Sequence, residues 1–166
     1  KITYLFKKYN QLYIFIMEKT KALLGAGCFW GIEEMFKKIE GVLETKVGYA
    51  GGDLSSPTYQ DVCSGNTGHA EVVQIEFDPN KISFKKILDH FWLCHDPTQL
   101  NRQGPDIGTQ YRSIIFYFTD EQKVIAEESK NNFQKQLSSK IVTEILQFTN
   151  FFLAEDYHQC YIQKNS

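Results

Sequence analysis

The chain has 166 residues and a mass of 19.3 kDa, enough for one domain that buries its own core and cramped for two. Apolar residues make up 42% and charged residues 23%, ordinary proportions for a globular protein. With 18 Lys plus Arg against 20 Asp plus Glu, the formal net charge is -2, which argues against a nucleic-acid binder and against a module for anionic membranes.

The four cysteines are Cys28, Cys63, Cys94 and Cys160. They form no CxxC pair and no zinc-finger spacing with His69, His90, His95 or His158. A chain of this size needs no disulfide staples, so a reducing, cytoplasmic setting is expected. The uncharged run from Tyr9 to Met17 is far shorter than the roughly 18 to 20 apolar residues of a membrane span. Lys7-Lys8 followed by Leu12 to Ile16 faintly resembles a signal peptide, but no small-residue cleavage site follows. Residues 1–18 are therefore read as an extension outside the core, with Met17 as the functional start. Residues 19–166 are read as a single domain.

Ala22-Leu23-Leu24 reads as a short buried strand and Gly25 to Gly27 as a tight turn. Phe29, Ile32, Phe36 and Ile39 recur at helical spacing and predict a helix from near Cys28 to near Gly41. Val42 to Tyr49 and Ala70 to Asp78 read as strands. Ser83 is the expected N-cap of a helix burying Phe84, Ile87, Leu88 and Phe91. Asp96 to Tyr111 has no period, and a loop that long in a compact domain is usually functional or disordered. Arg112 to Phe118 is a strand, Asp120 the expected cap of a helix to about Leu137, and Ile141 to Phe148 a further strand. This order predicts an α+β two-layer sandwich. Its core is a ferredoxin-like (split βαβ) unit with a mixed or antiparallel sheet and long functional loops.

Cys28 stands where a strand turns into a helix. The free N–H groups and partial positive charge of a helix start favour a thiolate, so a lowered thiol pKa and a nucleophilic role are expected. Gly27 and Gly31 leave room for a substrate, and Phe29 and Trp30 set two rings beside the sulfur, one for the core and one for an apolar pocket. The plain alternative is a thiol packed at a turn. A dinucleotide fingerprint starting at Gly25-x-Gly27 fails because it needs glycine where Trp30 stands. Glu71 opens a strand rich in Val and Ile. Pointing inward, it would be desolvated and become a proton donor near neutrality; pointing outward, it would be an ordinary surface Glu. Tyr59 and Tyr111 offer hydroxyls for a polar oxygen, or simply pack, and Asp106 either orients such a group or shapes a turn. Two other classes fit parts of the pattern: a cysteine hydrolase or acyltransferase using Cys28 with His69 or His158, and a non-enzymatic binding module that uses the aromatic pocket.

Gly27-Cys28-Phe29-Trp30-Gly31 resembles the signature of the peptide methionine sulfoxide reductase A family. So do Val47-Gly48-Tyr49-Ala50-Gly51-Gly52, Gly68-His69-Ala70-Glu71-Val72-Val73 and the run from His95 to Gly104. The likeness continues through Asp106 to Ser113 and ends with Ala154-Glu155-Asp156-Tyr157-His158-Gln159. The resemblance implies a thiol-dependent reductase of methionine S-sulfoxide, free or in proteins, acting in the repair of oxidised proteins under oxidative stress. It implies that Cys28 attacks the sulfur and becomes a sulfenic acid, and that Glu71, Tyr59 and Tyr111 bind and protonate the oxygen. Phe29 and Trp30 would hold the methyl group, and Asp106 would complete the polar wall. No metal or organic cofactor is implied. Thioredoxin or another thiol is the implied reductant, and the protein is expected to be a monomer without nucleic-acid or membrane partners. Family members often carry recycling cysteines beyond the Tyr-His-Gln motif; here Cys160 is the late cysteine, a resolving thiol or a bystander. Cys63 and Cys94 are assigned to packing.

Overall fold

A computed structural model describes residues 20–166. The extension over 1–18 and the start at Met17 lie outside the described residues. In chain order, strand β1 is Lys21–Ala26, helix α1 Phe29–Lys37, β2 Val42–Ala50, α2 Tyr59–Cys63 and β3 Ala70–Phe77. Then come α3 Phe84–Leu93, β4 Arg102–Gln103, β5 Asp106–Ile107, a 3-10 turn Thr109–Tyr111 and β6 Ser113–Tyr117. The chain ends with α4 Asp120–Gln134, β7 Glu144–Gln147, β8 Phe151–Leu153 and α5 Tyr161–Lys164.

Six strands form one mixed sheet in the order β7-β6-β1-β3-β2-β8. All its neighbours are antiparallel except β6 and β7, which run parallel. Strand β1 lies between β3 and β6, so it is apolar on both faces. Ala22, Leu24 and Ala26 join the main core with Phe29, Ile32 and Phe36 of α1 and Phe84, Ile87, Leu88 and Phe91 of α3. Leu23 points the other way, into a smaller cluster with Val72, Ile114 and Phe116, as the two-residue period of a strand requires. Gly25 permits this tight central strand: a Cβ there would lie 2.8 Å from Ile114 Cγ2 and 2.9 Å from the Glu71 carbonyl oxygen.

The Ser83 hydroxyl caps α3 by accepting the Lys86 N–H at 3.2 Å. The cap of α4 is Thr119 rather than Asp120: its hydroxyl accepts the Gln122 N–H at 3.2 Å. Asp120 sits one place inside, where its charge complements the helix start. Helix α4 stops at Gln134 because that side chain turns back on the following residues, donating to Ser139 O and accepting from Ile141 N–H. The same contact keeps Ile141 out of β7, which is shorter than its apolar pattern suggests. Three short elements have no clear sequence signal: α2, β8 and α5.

Candidate active site

The turn from β1 into α1 places Cys28 at the N-cap position, with φ -56° and ψ 121°. Gly27 makes the turn at φ 96°, and a Cβ there would strike the Gln103 side chain at 2.7 Å. Beyond the helix's own backbone and its chain neighbours, no atom lies within 4 Å of where a Gly31 Cβ would be, so α1 faces open space at that position.

Glu71 points inward and is 1% exposed. Its position in β3, opposite Tyr49 of β2, brings its Oε2 to the start of α1, where it accepts the Phe29 N–H at 3.1 Å. Burial pushes its carboxyl up to about 7; the Phe29 N–H opposes this and the Asp106 charge adds to it. The side chain thus takes the inward of the two orientations that the strand-entry position left open, and a carboxyl with a pKa near neutrality can both give and take a proton there.

Cys28 departs from the sequence expectation. Burial pushes its thiol up to about 11. The Trp30 and Gly31 N–H groups pull it down, but Glu71 and Asp106 push it further up. The lowering by the helix start is present but is outweighed, first by burial of the sulfur and then by the charges of Glu71, which takes the first free N–H of the helix, and Asp106. At neutral pH Cys28 is therefore a thiol, and Glu71 is a carboxyl whose pKa lies near neutrality.

Tyr59 opens α2 and Tyr111 ends the 3-10 turn. Burial raises both phenols, Tyr111 to about 12, and the charge of Glu71 raises both further. Both therefore keep their protons and can donate to an oxygen. Asp106 lies on β5 of the small β4–β5 hairpin, and its charge reaches Cys28, Glu71 and Tyr111. The long loop thus folds into a hairpin and a 3-10 turn that close the polar side of the site.

Phe29 and Trp30 divide their work. Phe29 is 1% exposed and packs on Tyr49 and His158, with ring centroids 5.9 and 5.2 Å away. Trp30 is half-buried, stacks on Tyr161 at 3.7 Å and 8°, and donates its indole N–H to His158 Nδ1 at 3.0 Å. His158, weighed in the sequence only as a hydrolase base, is instead part of the site wall; Glu155 and Tyr161 belong to it too and were not singled out, and for Glu155 the continuity of the Ala154 to Gln159 motif was the available signal. Glu155 accepts from Tyr59 N–H and from the Tyr49 hydroxyl, each at 2.8 Å.

All four cysteines are free. Cys160 sits beyond Glu33 and Lys37 of α1: its N–H donates to Glu33 Oε2 at 2.8 Å and Lys37 Nζ lies 3.1 Å from its sulfur. Glu33 is five residues past Cys28, about 7.5 Å further along the helix axis. Cys94 donates to the Phe91 carbonyl oxygen at 3.2 Å, consistent with packing. Cys63 departs from its packing assignment. It is exposed, at the last position of α2. Among the described residues no group of three or more His, Cys, Asp or Glu is placed to hold a metal ion, and no helix is long and apolar enough to cross a membrane.

Residues 20–166 match the family described as Peptide methionine sulfoxide reductase. The Peptide methionine sulfoxide reductase MsrA of Methanothermobacter thermautotrophicus is 54% identical over 147 residues, covering 87% of this chain and 87% of that protein. The chloroplastic Peptide methionine sulfoxide reductase A4 of Arabidopsis thaliana is 55% identical over 143 residues, 86% of this chain and 55% of that protein. Mxr1 from Saccharomyces cerevisiae in reduced form superposes with a TM-score of 0.84 at 40% identity, covering 87% of this chain and 84% of that chain. Mxr1 in complex with Trx2 gives 0.60 at 28% identity, covering 85% and 83%. The chain belongs to the peptide methionine sulfoxide reductase family, whose members are oxidoreductases that reduce methionine sulfoxide.

Proposed function

We propose that Cys28 and Glu71 carry out the reduction of methionine S-sulfoxide, free or within proteins. The supporting observation is the Glu71 carboxyl held on the Phe29 N–H, one residue from the Cys28 sulfur, with its pKa raised to about 7. The sulfoxide oxygen enters between Glu71 and the Tyr59 and Tyr111 hydroxyls, with Asp106 completing the polar wall. The methyl group rests against Trp30, which Phe29 backs through His158. Glu71 in its acid form donates to the oxygen and, being neutral, ceases to repel a thiolate; the Trp30 and Gly31 N–H groups then stabilise the sulfur anion. The Cys28 sulfur bonds to the substrate sulfur as Glu71 gives its proton to the oxygen, and the thiol proton passes to the carboxylate this leaves. The hydroxyl so formed moves to the Cys28 sulfur as the new S–S bond breaks towards the substrate, so methionine leaves with the electron pair and Cys28 ends as a sulfenic acid, oxidised by two electrons.

Thioredoxin or another thiol returns Cys28 to its resting state in this reading, as the complex of the yeast relative with Trx2 suggests. The position of Cys160 behind Glu33 and Lys37 favours direct reduction of Cys28 over an internal disulfide. A disulfide needs the two Cα atoms within about 7 Å. The same reading makes 19–166 one catalytic domain with 1–18 outside its core, and makes the protein a monomer. Four free thiols favour a reducing compartment such as the cytoplasm and a place in protein repair. The strand order β6-β1-β3-β2, antiparallel throughout, supports the ferredoxin-like (split βαβ) description of the core.

The test is stoichiometry with reductant withheld. Wild type mixed with methionine S-sulfoxide is expected to form one methionine per chain, with loss of the Cys28 thiol alone. Cys160→Ser is expected to do the same, and Cys28→Ser to form none. No methionine from the wild type refutes the proposal. Loss of two thiols that falls to one in Cys160→Ser makes Cys160 the resolving residue.

A further inference from the structure

Glu155 lies between β8 and α5, outside the groups that face the reacting atoms. Its Oε1 accepts the Tyr59 backbone N–H and its Oε2 the Tyr49 hydroxyl, each at 2.8 Å. The Tyr59 N–H belongs to the first turn of α2, where no helical carbonyl can receive it. The Thr58 hydroxyl does not serve it either, since it accepts the Asp61 N–H at 3.3 Å. Tyr49 is fully buried in β2 and stands opposite Glu71 in the strand register. Glu155 therefore ties the residue that presents the Tyr59 hydroxyl to the strand pair that presents the Glu71 carboxyl. Burial works against its charge, but the donors from Tyr59, its own backbone and Tyr49 hold its carboxyl below the usual range. His158 Nε2 lies 3.9 Å from Glu155 Oε2 with no hydrogen-bond partner, so it does not compete for these lone pairs.

We infer that Glu155 is a positioning residue for the reduction, holding Tyr59 so that its hydroxyl meets the sulfoxide oxygen on the same side as Glu71. The inference rests on the proposed role of Tyr59. Both Glu155 oxygens are used by donors, so Glu155→Gln keeps the shape while turning an amide N–H₂ towards one of them. A displaced α2 moves the phenol, and a misplaced donor lowers the rate of oxygen protonation more than it weakens substrate binding.

The experiment is a double-mutant cycle. Turnover of methionine S-sulfoxide with dithiothreitol is measured for wild type, Glu155→Gln, Tyr59→Phe and the double variant, with kcat and KM taken separately. Glu155→Gln is expected to lower kcat about tenfold with KM within about threefold. In the Tyr59→Phe background the same change is expected to cost less than about twofold. An equal loss in both backgrounds overturns the inference, because a general scaffold role acts whether or not the phenol is present. A wild-type kcat for Glu155→Gln overturns it too. A wild-type kcat for Tyr59→Phe refutes the tyrosine reading itself, a result read without reference to Glu155. Melting temperatures accompany every variant. If Glu155→Gln does not fold, Glu155→Asp takes its place in the cycle with the same deciding comparison.

Discussion

Glu71→Gln is expected to make the protein more stable and nearly inactive, and the gain in stability is expected to depend on pH. In the folded chain burial moves the Glu71 carboxyl from its ordinary 4.5 to about 7. Between those values the folded state holds a proton that the unfolded chain releases, so stability falls as pH rises through that window. At about 1.4 kcal/mol per pH unit, the full displacement costs about 3 kcal/mol above pH 7. Glutamine has the shape of the neutral acid and can still accept the Phe29 N–H, but it never ionises. Urea unfolding of wild type and Glu71→Gln is the assay. The two are expected to match at pH 4 and to differ by about 3 kcal/mol in favour of Glu71→Gln at pH 8. Single-turnover methionine formation is expected to fall by about a hundredfold or more, because the proton donor is gone. A stability difference that is the same at both pH values, or a variant less stable at pH 8, refutes the argument that burial rather than contacts sets the Glu71 proton. Retained activity refutes its role as the donor.

Other expectations follow from the same geometry. In the resting enzyme, alkylation of Cys28 should rise with pH along a curve centred near 11. In Glu71→Gln that curve should move to lower pH, because a repelling charge is removed; an unmoved curve would show that burial alone sets the thiol. Gly25→Ala should destabilise by about 1–3 kcal/mol in urea unfolding, because its Cβ would meet Ile114 Cγ2 at 2.8 Å and the Glu71 carbonyl oxygen at 2.9 Å. Ser129→Ala should cost about 1–3 kcal/mol by the same measurement, because it strips the buried Trp92 indole N–H of its 2.7 Å acceptor.

The main elements were legible because each has a periodic apolar face. Phe29, Ile32 and Phe36 repeat at helical spacing and Phe84, Ile87, Leu88 and Phe91 do the same, and all seven are buried. The short elements α2, β8 and α5 have too few residues for a period, and partners distant in sequence hold them. Phe151 to Leu153 become a strand because Ala50 to Gly48 lie alongside. The α4 cap was misplaced by one residue because Thr119 and Asp120 are both good cap types, and only backbone geometry chooses between them.

Residue identity alone supplied the candidate groups: a thiol at a strand-to-helix turn, an acid at a strand entry, two phenols and a pair of aromatic rings. The tertiary structure decided how these groups interact. It buried the Cys28 sulfur and set the Glu71 carboxyl on the Phe29 N–H nearby, so Cys28 rests protonated instead of ionised. It buried Phe29, left Trp30 at the surface of the site, and set Cys160 against Glu33 and Lys37. Proton affinities and reach depend on burial and on neighbours brought from 42 to 128 residues away along the chain. No local pattern records those distances, because they exist only once the sheet has assembled.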